Sequence, residues 1–326
     1  MNVLFSSRFR WTLIILGVVY VWTSAAHFQS PKPADETSSI FRKLGVMESR
    51  LISESSGVVV SLIRPELLWT INDSGQTAEL YGVHESGRLL CQVELAGESA
   101  RNQDWEAISA FKVNDRPHLL VADVGDNSIQ RASCQLYFFP ETRFEPAAEV
   151  KKFALTASRI DFVYEGGPRN CEAVAVDPLT NEVWLIEKVY YDSKQQQSPG
   201  IFLLPLADFL SVADPSQPKQ STARRIGDFP IRNVTGMEFS PNGERLIIRN
   251  YLSAHLYEKL AGKNWRETVS QSQPISVPLP IQRQGEAIAF TADSKSLIVT
   301  SESIKQPIWQ IDLETYLEQY QSAKQD

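Results

Sequence analysis

The chain is predicted to be all-β: a β-propeller of five four-stranded blades, with six as the alternative, closed by an N-terminal strand. Three observations carry that prediction. A motif recurs, a small or acidic residue followed by alternating apolar positions, at Ser56-GVVVS, Glu106-AISAF, Glu172-AVAVD, Thr235-GMEFS and Glu286-AIAFT. The spacings are 50, 66, 63 and 51 residues, near the lengths of known blades, which run from about 40 to about 50 residues. After each motif come a turn and further apolar runs of strand length, the pattern of an all-β repeat fold.

The elements follow in order. Arg8 and Arg10 precede an apolar run from Trp11 to Trp22, then Thr23-Ser24-Ala25-Ala26. A basic flank, a short apolar core and small residues describe a secretory signal peptide over residues 1–26, cut after Ala26. The alternative is an uncleaved membrane anchor, although Trp11 to Ala26 is only 16 residues against about 20 for a full span. Both readings export the rest of the chain, which is then secreted, periplasmic or held at the membrane by that segment. Residues 27–40 are polar and Pro-rich and read as a tether. The propeller is assigned to 41–313 and a short helix or tail to 314–326.

Within the propeller the second strands are LLWTIND, HLLVADVGD, EVWLIEK, RLIIRN and SLIVTSE. Third strands follow as AELYGVH, CQLYFFP, GIFLLPL, AHLYEK and PIWQIDL, with fourth strands visible as RLLCQVEL and VKKFALTA. The last repeat has only three strands, so residues 41–52 (FRKLGVMESRLI) are expected to complete it and remove an open edge. Helices are expected only at Pro205–Ala213 and Glu314–Lys324. Cys91 and Cys134 both fall in strands and could pair in an oxidising compartment. Buried small hydrophobes are the other reading, and the one expected for Cys171.

Composition bounds the function. With 326 residues, 43% hydrophobic and 22% charged, the chain is neither disordered nor a disulfide-dense scaffold. Its formal net charge is −7, and −9 once Arg8 and Arg10 are removed; that excludes nucleic-acid binding through phosphate contacts. Three cysteines are too few for a cysteine zinc site. No G-x-S-x-G, P-loop, H-E-x-x-H, G-x-G-x-x-G or C-x-x-C motif occurs. His255, at the start of a third strand, is the one histidine expected near the site below, and it reads first as a surface strand residue.

In an antiparallel blade the start of strand one and the end of strand two share one end of the ring. Reading both positions in every repeat gathers one polar mouth. It holds Ser56 with Asn72 and Asp73, then Asp104 and Glu106 with Asp123, Asp126 and Asn127. Asn170 and Glu172 follow with Glu187 and Lys188, Thr235 with Arg249 and Asn250, and Glu286 with Ser301 and Glu302. Three glutamates at matching positions repel by about 3 kcal/mol per pair at about 5 Å in an effective dielectric of about 20. Three things could offset that: a hard divalent cation, protonation of one carboxyl, or Lys188 and Arg249.

For a cation, Glu106, Glu172, Glu286 and Asp123 are the candidate ligands and calcium is the best match to an oxygen-only site. Lys188, Arg249, Asn72, Asp73 and Asn170 are candidates to bind a small anionic or ester-bearing ligand. Glu172 and Glu286 are candidate catalytic groups, as general base or metal ligand in hydrolysis of an ester, lactone or phosphoester. Asn72-Asp73-Ser74-Gly75 and Asp123–Asn127 also read as turns in which side chains cap the backbone.

The motifs ESSGVVVS, LLWTINDSG, QDWEAI, LLVADVGDN, RNCEAVAVD, VTGMEFSPNGERLIIRNY and QGEAIAF with LIVTSE resemble a family of exported bacterial β-propeller proteins, from about Glu54 to Asp312. More distantly, glutamates that open inner strands are similar to those of calcium-dependent propellers of the gluconolactonase, paraoxonase and strictosidine-synthase type, and of propeller phytases. That resemblance implies a divalent metal in the channel and hydrolysis of an ester, lactone or phosphoester. Here Ala follows each glutamate where the E-G-P-x-W motif has Gly, and Ser56 and Thr235 hold the ring position in the first and fourth repeats. The competing expectation is a non-catalytic envelope binding or scaffold protein whose glutamates are structural.

Overall fold

A computed structural model describes residues 40–96, 100–191, 198–206 and 219–325. The signal or anchor segment, the tether up to residue 39 and all but the first two residues of the helix expected at Pro205–Ala213 lie outside the described residues. Pro205 itself ends a strand. The described residues belong to one compact unit.

The protein is all-β, and each repeat opens an antiparallel meander. The first contains β2 (Ser55–Val60), β3 (Leu67–Asn72), β4 (Glu79–His84) and β5 (Leu89–Leu95). The second contains β6 (Trp105–Val113), β7 (Arg116–Asp123), β8 (Cys134–Pro140) and β10 (Ser158–Tyr164). The third runs β11 (Cys171–Val176), β12 (Glu182–Glu187), β13 (Gly200–Pro205) and β14 (Lys219–Asp228). The fourth runs β15 (Val234–Phe239), β16 (Arg245–Asn250), β17 (Ser253–Glu258) and β18 (Ile275–Pro278). The last has β19 (Gly285–Phe290), β20 (Ser296–Ser301) and β21 (Pro307–Asp312), completed by the N-terminal β1 (Phe41–Val46), antiparallel to β21.

Two strands depart from expectation. VKKFALTA forms β9 (Lys151–Leu155), which is not the fourth strand of its own repeat. It pairs in parallel with β5 of the first meander, while β10 takes the expected place beside β8. The reason is polarity: no β9 residue is buried, whereas β10 is buried over much of its length. β14 also pairs in parallel with β10, so the second and third meanders form one eight-stranded sheet. A helix not foreseen, α1 (Trp265–Gln271), is started by a capping box between Asn264 and Glu267 and buries Trp265. The C-terminal helix α2 spans Leu313–Gln325. No helix among the described residues is long and apolar enough to cross a membrane.

The first strands form a circuit: β2 neighbours β6, β6 neighbours β11, β11 neighbours β15, β15 neighbours β19, and β19 neighbours β2. This arrangement is compatible with a β-propeller. The core lies between successive sheets, as a strand buried on both faces requires. Trp69 and Ile71 pack with Ile108 and Val121, and Leu120 and Phe162 with Val174 and Phe202. Trp184 packs with Phe239, and Leu256 with Ile288. Val58 and Leu68 meet Ala287 and Ile298 of the last meander, which joins the two ends of the circuit. Cys91, Cys134 and Cys171 are buried free thiols, so the possible Cys91–Cys134 pairing does not form.

Candidate functional site

The repeat position is a β-bulge in every first strand. Register slips between Ser55 and Gly57, Trp105 and Ala107, Cys171 and Ala173, Val234 and Gly236, and Gly285 and Ile288. The extra residue is Ser56, Glu106, Glu172 or Thr235, and in the last strand the slip spans Glu286 and Ala287. A bulge re-aims its side chain without ending the ladder. In the first and fourth meanders the side chain reaches the next first strand: Ser56 Oγ donates to Trp105 O (2.8 Å) and Thr235 Oγ1 to Gly285 O (3.4 Å). In the other three it is a carboxylate. Oxygens of Glu106, Glu172 and Glu286 lie within 4.8 Å of one another, as do those of Asp73, Asp104 and Glu106.

A second ring stands one residue past the second strands: Asp73, Val124, Lys188, Tyr251 and Glu302. Lys188 Nζ pairs with Glu172 Oε2 and donates to Tyr251 Oη (2.8 Å), and Tyr251 Oη donates to Glu286 Oε1 (3.0 Å). The ammonium also sits over the rings of Tyr190 (5.2 Å) and Tyr251 (5.0 Å). Glu106 differs from its two neighbours. It is only 5% exposed, yet it receives no hydrogen bond or ion pair from any described residue. Gly125 lies against it, where a Cβ would collide with Asp104 Oδ2 and Glu106 Oε1.

Crowding raises the carboxyl pKa values. Glu106 is driven well above the usual range by burial, then by Glu172, Asp73, Asp104 and Glu286. Burial raises Glu172 to about 8, with Lys188 opposing and Glu286 adding. Burial and the nearness of Glu286 raise Glu302 to about 8; burial and Asp73 raise Asp104 to about 7. For Lys188, burial pulls down, but Glu172 and Glu286 outweigh it and hold the ammonium charged.

Four of the residues expected at the site are occupied elsewhere. Asn72 Oδ1 accepts the amides of Ser53 and Glu54 and its Nδ2 donates to Leu51 O. Asp123 accepts the Gln103 and Asp104 amides and pairs with Arg131 (2.6 Å), so it is not among the clustered carboxylates. Asn170 Oδ1 accepts the Asp126 amide (2.8 Å) and its Nδ2 donates to Asn127 Oδ1. Arg249 is buried, donates to Ala287 O (2.9 Å) and is pushed down to about 9 by burial, with Glu286 opposing. His255 is buried rather than on the surface. Its Nε2 meets Ser253 Oγ (3.1 Å), and burial lowers it to about 4.

No protein-family model matches the chain, and no curated protein matches it. Among solved structures, the chain is similar to the hydrazine synthase of Kuenenia stuttgartiensis, with a TM-score of 0.40 and 9% identity over 76% of this chain and 68% of that one. It is also similar to a 6-phosphogluconolactonase-like protein from Bacteroides uniformis, with a TM-score of 0.36 and 14% identity over 78% of this chain and 66% of that one. The match thus spans about two thirds of each neighbour's length.

Proposed function

We propose that the protein is an exported five-bladed β-propeller that binds a divalent cation at its channel mouth and, beside it, a small anionic or ester-bearing ligand. The meanders and the circuit of first strands support the blade count. The observation that carries the cation is Glu106: a buried carboxylate with no donor among the described residues, facing two others within 4.8 Å. An unpaired buried charge is costly, and either a proton or a metal relieves it. Oxygen donors alone suit calcium or magnesium; the three glutamates with Asp73 and Asp104 give enough oxygens for the larger ion.

A bound divalent cation supplies Lewis acidity toward a carbonyl or phosphoryl oxygen. The chain's own residues set the rest of the chemistry. Lys188 holds Glu172 in place and leaves Glu286 to accept from Tyr251. With a carboxyl pKa of about 8, Glu172 can exchange a proton near neutral pH. This makes an ester, lactone or phosphoester hydrolase the catalytic form of the proposal.

Lys188 favours a second reading. Its ammonium already offsets part of the charge, as it would in a non-catalytic envelope scaffold. Thermal unfolding after exhaustive chelation, then with calcium, magnesium or manganese restored, separates the two. A metal at about a hundredfold its Kd should stabilise by about 3 kcal/mol, and Glu106→Gln should abolish that response while leaving the chelated protein folded. No metal response in the parent protein sinks the cation site and leaves the scaffold.

A further inference from the structure

The large apolar side chains left in solvent are not scattered. Leu51, Ile129, Tyr190, Tyr191, Leu252, Ile281 and Ile304 are between 38 and 71% exposed. All lie on connections that open a first strand or join a second strand to a third, which is the mouth end. Every repeat contributes at least one. Leu51 precedes β2, Ile129 follows β7, the two tyrosines follow β12, Leu252 follows β16, and Ile281 and Ile304 flank β19 and β20. The other exposed large apolar residues are Val150, Val163 and Leu179, which lie on other parts of the fold.

Cations accompany them. Arg50 adjoins Leu51, Arg283 is two residues from Ile281, Lys305 adjoins Ile304, and Arg101 lies on the connection into β6. All four are exposed, and their side chains make no ion pair or hydrogen bond with a described residue. Among the described exposed acids at this end, Asp228 is paired with Arg225 and Glu165 accepts the Arg225 amide, which leaves Glu48. Of the central acids, Glu106, Glu172 and Glu286 are recessed, each about nineteen-twentieths buried, and Asp73, Asp104 and Glu302 are half-buried.

We propose that this face docks onto a bilayer containing anionic phospholipid, with the loop tips entering the interface and Arg50, Arg101, Arg283 and Lys305 meeting headgroup phosphates. Apolar and aromatic tips beside Lys and Arg are the combination that holds a protein in the headgroup region. The apolar tips come from all five repeats around the mouth, so a broad surface can engage them together better than a single cleft could. Each unpaired cation at an anionic membrane strengthens attachment about fivefold. The proposal does not depend on the cation site. Its consequence is an orientation in which the mouth opens toward the lipid.

The test uses the full chain with a single added cysteine bearing an environment-sensitive fluorophore; the native thiols are buried and stay unlabelled. Leu252→Cys and Ile281→Cys report the mouth, and Leu179→Cys, in the turn between β11 and β12, reports the far end. Quenching by brominated lipid is read in phosphatidylglycerol–phosphatidylcholine vesicles, with chelator and again with calcium, so that a failed cation site leaves this result readable. The expected result is quenching at 252 and 281 well above that at 179, with attachment weakened about fivefold by Arg283→Gln and again by Lys305→Gln. Quenching at 252 and 281 no greater than at 179 overturns the proposal and leaves a protein as the partner for this face.

Discussion

The two ends of the ring treat buried carboxylates in opposite ways. At the far end Glu141 accepts from Ser61 Oγ, Trp69 Nε1 (2.9 Å) and the Leu62 amide (3.1 Å), tying the second meander to the first. Glu238 there accepts the Phe290 amide across to the last meander. At the mouth three glutamates converge, one held by a lysine, one by a tyrosine and one by no described residue. The far-end carboxylates have their donors within the fold, whereas the mouth leaves acceptor capacity open. Burial alone therefore does not distinguish Glu141 from Glu106; the donors each receives from the described residues do.

The largest expected effect breaks the far end. Glu141→Ala would strand a hydroxyl, an indole N–H and a backbone amide in a buried place, at about 1–3 kcal/mol for each orphaned group. Chemical denaturation should show a loss of about 3–5 kcal/mol, equal with and without calcium. Glu106→Gln at the mouth should instead leave the chelated protein at least as stable, because it replaces a carboxyl that must either repel its neighbours or hold a proton, and it orphans no donor. Equal losses for the two variants would end the distinction between the ends.

Much of this contrast was legible in the sequence, and the rest shows what periodicity omits. Three of the five motif positions, Glu106, Glu172 and Glu286, are the side chains that meet, because a repeated strand start brings equivalent residues to one place. That they are bulges was not visible, since a bulge leaves no mark in an alternating pattern. Of the second ring, the sequence places Asp73, Lys188 and Glu302 at the site and omits Tyr251. Asn72, Asp123 and Asn250 end their strands and cap neighbouring loops, while Asp73 and Tyr251, one step on, face the site. Successive strand residues point to opposite sides, so this parity could have found Tyr251 beside the expected Lys188. Strand β9 was read as an ordinary fourth strand because pairing partner and direction are properties of the assembled sheets, not of a five-residue segment.

The comparison sharpens with pH, the next effect in size. Glu172 and Glu302 near 8, Asp104 near 7 and the raised Glu106 keep protons in the folded state that the unfolded chain has released. Stability from these groups is fully present below about pH 4 and is lost as pH rises through about 8 in the chelated protein. Calcium must displace those protons, so its stabilising effect should grow across the same range. The midpoint of thermal unfolding against pH should thus fall with chelator and fall less, or rise, with calcium. Parallel curves would mean that the ion binds somewhere other than the mouth.

The smallest effect tests the two repeat positions that carry no acid. Ser56 and Thr235 occupy the bulge in the first and fourth meanders and spend their hydroxyls on the backbone of the next first strand. Ser56→Ala removes one donor to Trp105 O in a buried place, a loss of about 1 kcal/mol. Thr235→Val should cost less, because its bond at 3.4 Å is the longer one. Neither should alter the calcium response, since the three glutamates that face one another come from the second, third and last meanders. If Ser56→Ala shifted the calcium midpoint as strongly as Glu106→Gln, all five bulges would be parts of one binding ring. The expected small, calcium-independent loss would instead separate them into two ties that hold the ring closed and three acids that leave its mouth open to a ligand.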